Sequence, residues 1–113
     1  IEIIELKDSD IVKEKEEIKK YINPKDYIIT LDILGNQIDS PTLSKKISDI
    51  FISFSNITFI IGGSFGLDDE IKNLARYSLS FSKLTFPHQL FRVMLLEQIY
   101  RSFKIMNNET YHK

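Results

Sequence analysis

Cysteine is absent from this chain of 113 residues, which removes disulfides, thiolate-bound zinc and cysteine nucleophiles together. Two histidines are a poor basis for a metal site, so no metal is expected. No window approaches the roughly 20 apolar residues that a bilayer-crossing helix requires. The amino-terminal residues alternate acidic and aliphatic side chains, unlike the uninterrupted apolar core of a signal peptide. The reading is a cytoplasmic protein with no membrane partner. Net charge is scarce too, at -1. Coating nucleic acid by bulk electrostatics needs a basic surface, so any RNA contact must be local. There is no internal repeat and no low-complexity linker.

What is present, 42% hydrophobic and 27% charged residues, is the balance of one domain spanning residues 1–113, with room for a single core. The charge is unevenly spread. Residues 83–113 carry Lys83, Arg92, Arg101, Lys104 and Lys113 against Glu97 and Glu109, a balance of +3, which leaves -4 for residues 1–82. That basic third is a candidate for phosphate contact, although basic residues on helices are more often solvated surface.

Ile1 to Leu6 reads as a strand and Asp8 to Lys20 as a helix. Asn23-Pro24-Lys25-Asp26 is a turn that delivers the chain into a buried strand, Tyr27 to Asp32, with Gly35 and Asn36 ending that region. Ser40-Pro41 is a helix start, with a side-chain oxygen for the first free N–H groups, and the helix should run from about Pro41 to Phe54. Ile57 to Ile61 is β-branched and aromatic, suiting a parallel strand covered on both faces. Asp68 should cap a helix reaching about Tyr77, Leu79 to Phe81 should form a short strand, and Phe86 to Phe103 the last long helix. Apolar residues surround more of that helix than one stripe, so two surfaces need burial: one in the core, one against a partner subunit. Alternating strands and helices predict an α/β fold, a small mostly parallel sheet with helices on both faces, whose ligands bind at the carboxyl ends of the strands.

Two loops fall at such ends. Gly62-Gly63-Ser64-Phe65-Gly66 permits close backbone approach, but lacks both the Gly-Lys-Ser/Thr ending of a phosphate loop and the spacing of a dinucleotide fingerprint. A nucleotide hydrolase or nucleotide-binding regulatory domain is therefore disfavoured, and a tight strand-to-helix turn would explain the glycines equally well. Leu79 to Gln89 combines hydroxyl side chains, backbone donors and rings, which suits an adenosine held by main-chain bonds and apolar contacts. Its serines would serve equally as turn and cap residues.

The blocks Ile61-Gly62-Gly63-Ser64-Phe65-Gly66-Leu67, Leu79 through Leu90, Arg92, Glu97-Gln98-Ile99-Tyr100-Arg101 and Tyr111-His112-Lys113 resemble, in order and spacing, the signatures of the ribosomal RNA large subunit methyltransferase H family, within the SPOUT α/β-knot methyltransferases. The resemblance covers essentially the whole chain and is most specific from Ile61 onward. It implies a homodimer that transfers a methyl group from S-adenosyl-L-methionine to N3 of a pseudouridine in large-subunit (23S) ribosomal RNA of the assembled ribosome. It also implies a carboxyl-terminal trefoil knot, a topology that hydrophobic patterning would not foretell. The cofactor positions carried over are Leu31, Gly62, Phe81, Ser82, Lys83, Leu84, Thr85 and Phe86. Compared with the family, a strand and helix ahead of Ile1 are missing.

That chemistry requires the N3 proton to leave and the acceptor to lie in line with the sulfonium. Candidates are His88, Arg92, Tyr111 and His112, the histidines to accept or relay a proton and the arginine to hold phosphate or developing oxygen charge. Glu97 and Arg101 have the spacing of a helix salt bridge, and Tyr100 that of a core or interface residue. The alternative is a catalytically silent dimer of the same fold that binds ribosomal RNA.

Overall fold

Five consecutive β-branched, aliphatic and aromatic residues, Ile57–Ile61, form the strand at the heart of the fold, and every one of them is buried. The structure is a computed structural model that describes residues 1–5, 19–62 and 69–111, the side chain of His88 excepted. Its elements in chain order are β1 (Glu2–Glu5), β2 (Tyr27–Asn36), α1 (Ser40–Ser53), β3 (Ile57–Ile61), α2 (Asp69–Leu74), β4 (Tyr77–Leu79) and α3 (His88–Met106). The four strands pair in parallel in the order β1-β3-β2-β4.

Alternate residues of a strand point to opposite faces, so a central strand apolar throughout needs cover on both. On one face Ile29, Ile57, Phe59 and Ile61 pack with Leu43, Ile47 and Ile50 of α1 and Leu95 and Ile99 of α3. On the other, Ile28 and Ile60 meet Ile71 of α2. The mixed α/β architecture with helices on both faces is thus as expected. Serines let α1 and α3 approach closely without stranding polar groups. Buried Ser44 donates to the Ser102 carbonyl at 2.7 Å, and Ser40 donates to Gln98 Oε1 at 2.7 Å.

Several boundaries differ from expectation. Asp39, not Ser40, caps α1, its carboxylate accepting from the Thr42 N–H at 2.8 Å, because Ser40 is turned toward Gln98. The helix expected to reach Tyr77 ends at Leu74, and the strand expected at Leu79–Phe81 is Tyr77–Leu79. Pairing decides this: Tyr77, Ser78 and Leu79 lie beside Ile29, Thr30 and Leu31, with the Thr30 and Ser78 hydroxyls 3.0 Å apart. β2 runs past Asp32 because it bulges away and returns, pairing with Leu79 a second time at Asn36. The helix expected over Asp8–Lys20, apart from its last two residues, and the segment Gly63–Asp68 lie outside the described residues.

Candidate cofactor cleft and acceptor site

Parallel pairing aligns the carboxyl ends of three strands. Leu31 of β2 is in register with Ile61 of β3 on one side and with Leu79 of β4 on the other. Buried Gly62 follows Ile61 directly, and the loop carrying Phe81–Phe86 leaves β4 one residue after Leu79. Three segments far apart in sequence therefore converge at one end of the sheet, where an open parallel sheet binds ligands.

The loop after β4 is shaped by its own serines. The Ser80 N–H donates to the Asn36 carbonyl at 2.9 Å, and the Ser80 hydroxyl reaches the carbonyls of Ile33 at 3.2 Å and Ser82 at 3.1 Å. Ser82 Oγ accepts from the Leu84 N–H at 3.0 Å. These are turn bonds, and they fold the loop around an exposed apex of Lys83, Leu84 and Thr85, with Leu84 69% accessible. The two ends of the apex hang from one ring of α3: Phe81 stacks on Phe91 with centroids 6.2 Å apart, and Phe86 meets it edge-on at 5.5 Å. Phe91 was missed in the sequence, since nothing in linear spacing links it to both loop rings.

The bulge of β2 forms the neighbouring wall. Asp32 Oδ1 accepts from the Leu34 N–H at 3.0 Å and its carboxylate lies 3.4 Å from Lys72 of α2. The turn exposes Leu34, 86% accessible, beside the cleft. Gly35 closes the bulge against β4, where a Cβ would sit 2.8 Å from the carbonyl carbon and oxygen of Ser78. Only a residue without a side chain fits that approach.

The four acceptor-site candidates are distributed along α3 and its exit. His88 is the first residue of α3, which starts on the Pro87 carbonyl without a side-chain cap. Arg92 lies one turn on and reaches back to Glu5 at the end of β1, Nη1 to Oε2 3.0 Å. Beyond α3 the chain reverses through Asn108, at φ 57°, a left-handed turn that asparagine tolerates. The reversal lays Tyr111 back on the helix: its hydroxyl donates to Glu97 Oε1 at 3.3 Å, and its ring meets Tyr100 edge-on at 5.1 Å. Glu97 also accepts from Arg101 at 2.6 Å, the helix salt bridge expected from spacing. That bond raises the Arg101 pKa above its ordinary value. Arg92 and Glu97 are five residues apart, roughly 140° around the helix, so Arg92 and Tyr111 attach to different sides of it. His112 lies outside the described residues.

The family model described as "Predicted SPOUT methyltransferase" covers residues 2–112. The chain belongs to the SPOUT methyltransferase family. Among curated relatives, this SPOUT chain is 58% identical over 102 residues to the "Putative ribosomal RNA large subunit methyltransferase H" of Methanococcus maripaludis, covering 89% of the chain and 64% of that protein. It is 55% identical over 109 residues to the ribosomal RNA large subunit methyltransferase H of Clostridium kluyveri, covering 94% and 69%. With that of Clostridium perfringens it shares 50% identity over 127 residues, covering 100% and 80%. The SPOUT chain spans about two thirds of the length of the first two relatives.

Proposed function

We propose that this chain binds S-adenosyl-L-methionine and transfers its methyl group to N3 of a pseudouridine in large-subunit ribosomal RNA, acting as a homodimer on the assembled ribosome. The observation that carries the reading is the common register of Leu31, Ile61 and Leu79, which gathers the cofactor positions of the resemblance at one end of the sheet.

The residues there suit the cofactor. Leu31 and the exposed Leu84 offer apolar contact to a purine, Gly62 leaves room for close approach, and the backbone of Ser82–Phe86, apart from the Ser82 carbonyl and the Leu84 N–H used by the turn, offers main-chain bonds. The cofactor supplies an electrophilic methyl. The protein's part is to hold the acceptor in line and to let the N3 proton depart. Arg92, exposed beyond its bond to Glu5, has the charge to hold a phosphate or an oxygen of the base. His88 and His112 are the residues whose ordinary pKa permits proton acceptance near neutrality. Tyr111 anchors the tail that carries His112. The exposed stripe Val93, Leu96 and Tyr100 on α3 is the surface proposed for the partner subunit, and the family's trefoil knot belongs to the same reading.

Calorimetric titration with S-adenosyl-L-methionine, with ATP as control, tests the cleft, and transfer of labelled methyl to purified ribosomes tests the reaction. Saturable cofactor binding and labelled ribosomal RNA are the expected results. A folded chain that binds ribosomal RNA but no cofactor would instead be the silent RNA-binding form.

A further inference from the structure

Several of the cations among the described residues meet a carboxylate. Arg92 pairs with Glu5, Arg101 with Glu97 and Lys104 with Glu109, at 3.0, 2.6 and 3.0 Å. Lys19 and Lys72 are likewise paired, with Glu70 and Asp32. Among the described residues, Lys46 and Arg76 instead rest on rings and meet no carboxylate. Lys46 Nζ lies 3.9 Å from the centre of Tyr77, and the Arg76 guanidinium lies 5.0 Å from that of Phe54. The rings are joined through Tyr27, whose centroid is 5.3 Å from that of Phe54 in an edge-on contact.

Lys46 and the rings of Tyr27, Phe54 and Tyr77 line an open groove along α1, which Asp49 also lines and which runs on to Ile38 and Thr42; Arg76 stands beside it over Phe54. Its ring-bearing part lies toward the amino end of the sheet, where Tyr77 pairs with Ile29 and Tyr27 begins β2, roughly 7 and 13 Å along the strand from Leu31 at a rise of about 3.3 Å per residue. Exposed Lys25, two residues before Tyr27, adds charge at the same end. The acidic groups nearby are already engaged. Asp49 bonds Lys45 at 3.1 Å, and buried Asp26 accepts from Asn56 at 2.9 Å and Thr58 at 3.0 Å. A cation laid on a ring has its stem ordered in advance while its remaining donors face solvent, so less side-chain freedom is lost when an anion arrives.

We propose that this groove is a second ribosomal RNA contact, gripping backbone phosphates through Lys46 and the adjoining Arg76, on the α1 side of the sheet and apart from the methyl-transfer cleft. The identity of the polyanion rests on the methyltransferase reading; the cationic groove does not.

The test uses the full chain carrying Lys46→Met and Arg76→Gln, which keep the unbranched aliphatic stem but remove the charge. Ribosome binding is measured across a salt series, alongside cofactor affinity. The expected result is weaker binding at low salt and a salt dependence shallower by about one unit of slope per cation removed, with S-adenosyl-L-methionine affinity unchanged. Arg76→Lys, which keeps the charge, should retain most of the binding. Parental affinity and slope in the double variant would overturn the proposal, as would a loss of affinity without change of slope, the mark of a contact to ribosomal protein. The two readings separate cleanly. A parent that binds ribosomes with this salt dependence but no cofactor sinks the methyltransferase reading alone, whereas a parent that methylates ribosomes while the double variant binds them unchanged sinks the second contact alone.

Discussion

Gly35 and Phe91 shape the bulge of β2 and the loop after β4 without belonging to any motif. A methyl group at Gly35 would press on the Ser78 carbonyl at 2.8 Å, so Gly35→Ala should destabilise the fold by about 1–3 kcal/mol, the usual cost of overpacking, read as a lower denaturant midpoint. Phe91 acts on the neighbouring loop. Phe91→Ala removes the ring shared by Phe81 and Phe86 and, because Phe91 is only half-buried, should cost about 2 kcal/mol, below the range for a fully buried phenylalanine. Its larger effect is expected on calorimetric affinity for S-adenosyl-L-methionine, since the loop apex would lose both of its supports. Tyr77 carries a pH dependence. Burial, with a smaller contribution from Tyr27, raises its pKa above the ordinary value of 10.0, so the folded chain holds the phenol proton more tightly than the unfolded one. Stability from this source is complete below about pH 10 and is lost as pH rises through the raised folded value. The denaturant midpoint should therefore fall in that alkaline range, and fall less steeply in Tyr77→Phe.

Among the elements, α1 and α3 are coupled to the sheet and to each other through one apolar cluster and a set of serine bonds. The start of α1 depends on Asp39, which satisfies the Thr42 N–H that the helix itself leaves free. Asp39→Ala should lower stability by about 1 kcal/mol in chemical denaturation, the typical worth of an amino-terminal cap. Ser40→Ala tests a different bond, the one to Gln98, and so acts on helix pairing. Sequence alone assigned the cap to Ser40. Both residues are good caps in isolation, and only the position of Gln98 on α3, 58 residues away, decides between them. The β4 boundary has the same origin. Its three residues carry a weak local strand signal, and the partner Ile29–Leu31 selects which three they are.

For the whole molecule, the arrangement of α3 leaves Val93, Leu96 and Tyr100 exposed at 61%, 48% and 51%, a stripe at spacings of three and four residues beside the buried Leu95 and Ile99. If the proposed dimer uses this stripe, glutamates at Val93 and Leu96 should leave the protomer fold intact while converting dimer to monomer in sedimentation, because charge is costly in a desolvated contact. An oligomeric state unchanged by the double substitution would remove this stripe as the subunit interface. The charge distribution belongs to this scale as well. Counting residues assigns an excess of basic charge to the carboxyl-terminal third; Glu97 and Glu109 are already in that count, the bond from Arg92 to Glu5 offsets one further charge, and Lys46 and Arg76 add ring-supported cations elsewhere on the fold.

By itself the amino-acid sequence determined the α/β class, the strands at Glu2–Glu5 and Ile57–Ile61, the span of α1 to within a residue at each end and the family. Those properties are local: β-branched runs, helical periodicity, turn residues and ordered motifs are written in neighbouring positions. Tertiary structure alone decided that Leu31, Ile61 and Leu79 share one level of the sheet, that Gly35 must lack a side chain, that Phe91 supports the loop after β4, and which cations stand beside a carboxylate. Each depends on contacts between segments tens of residues apart, and strand register and ion pairing across such distances leave no periodic trace along the chain.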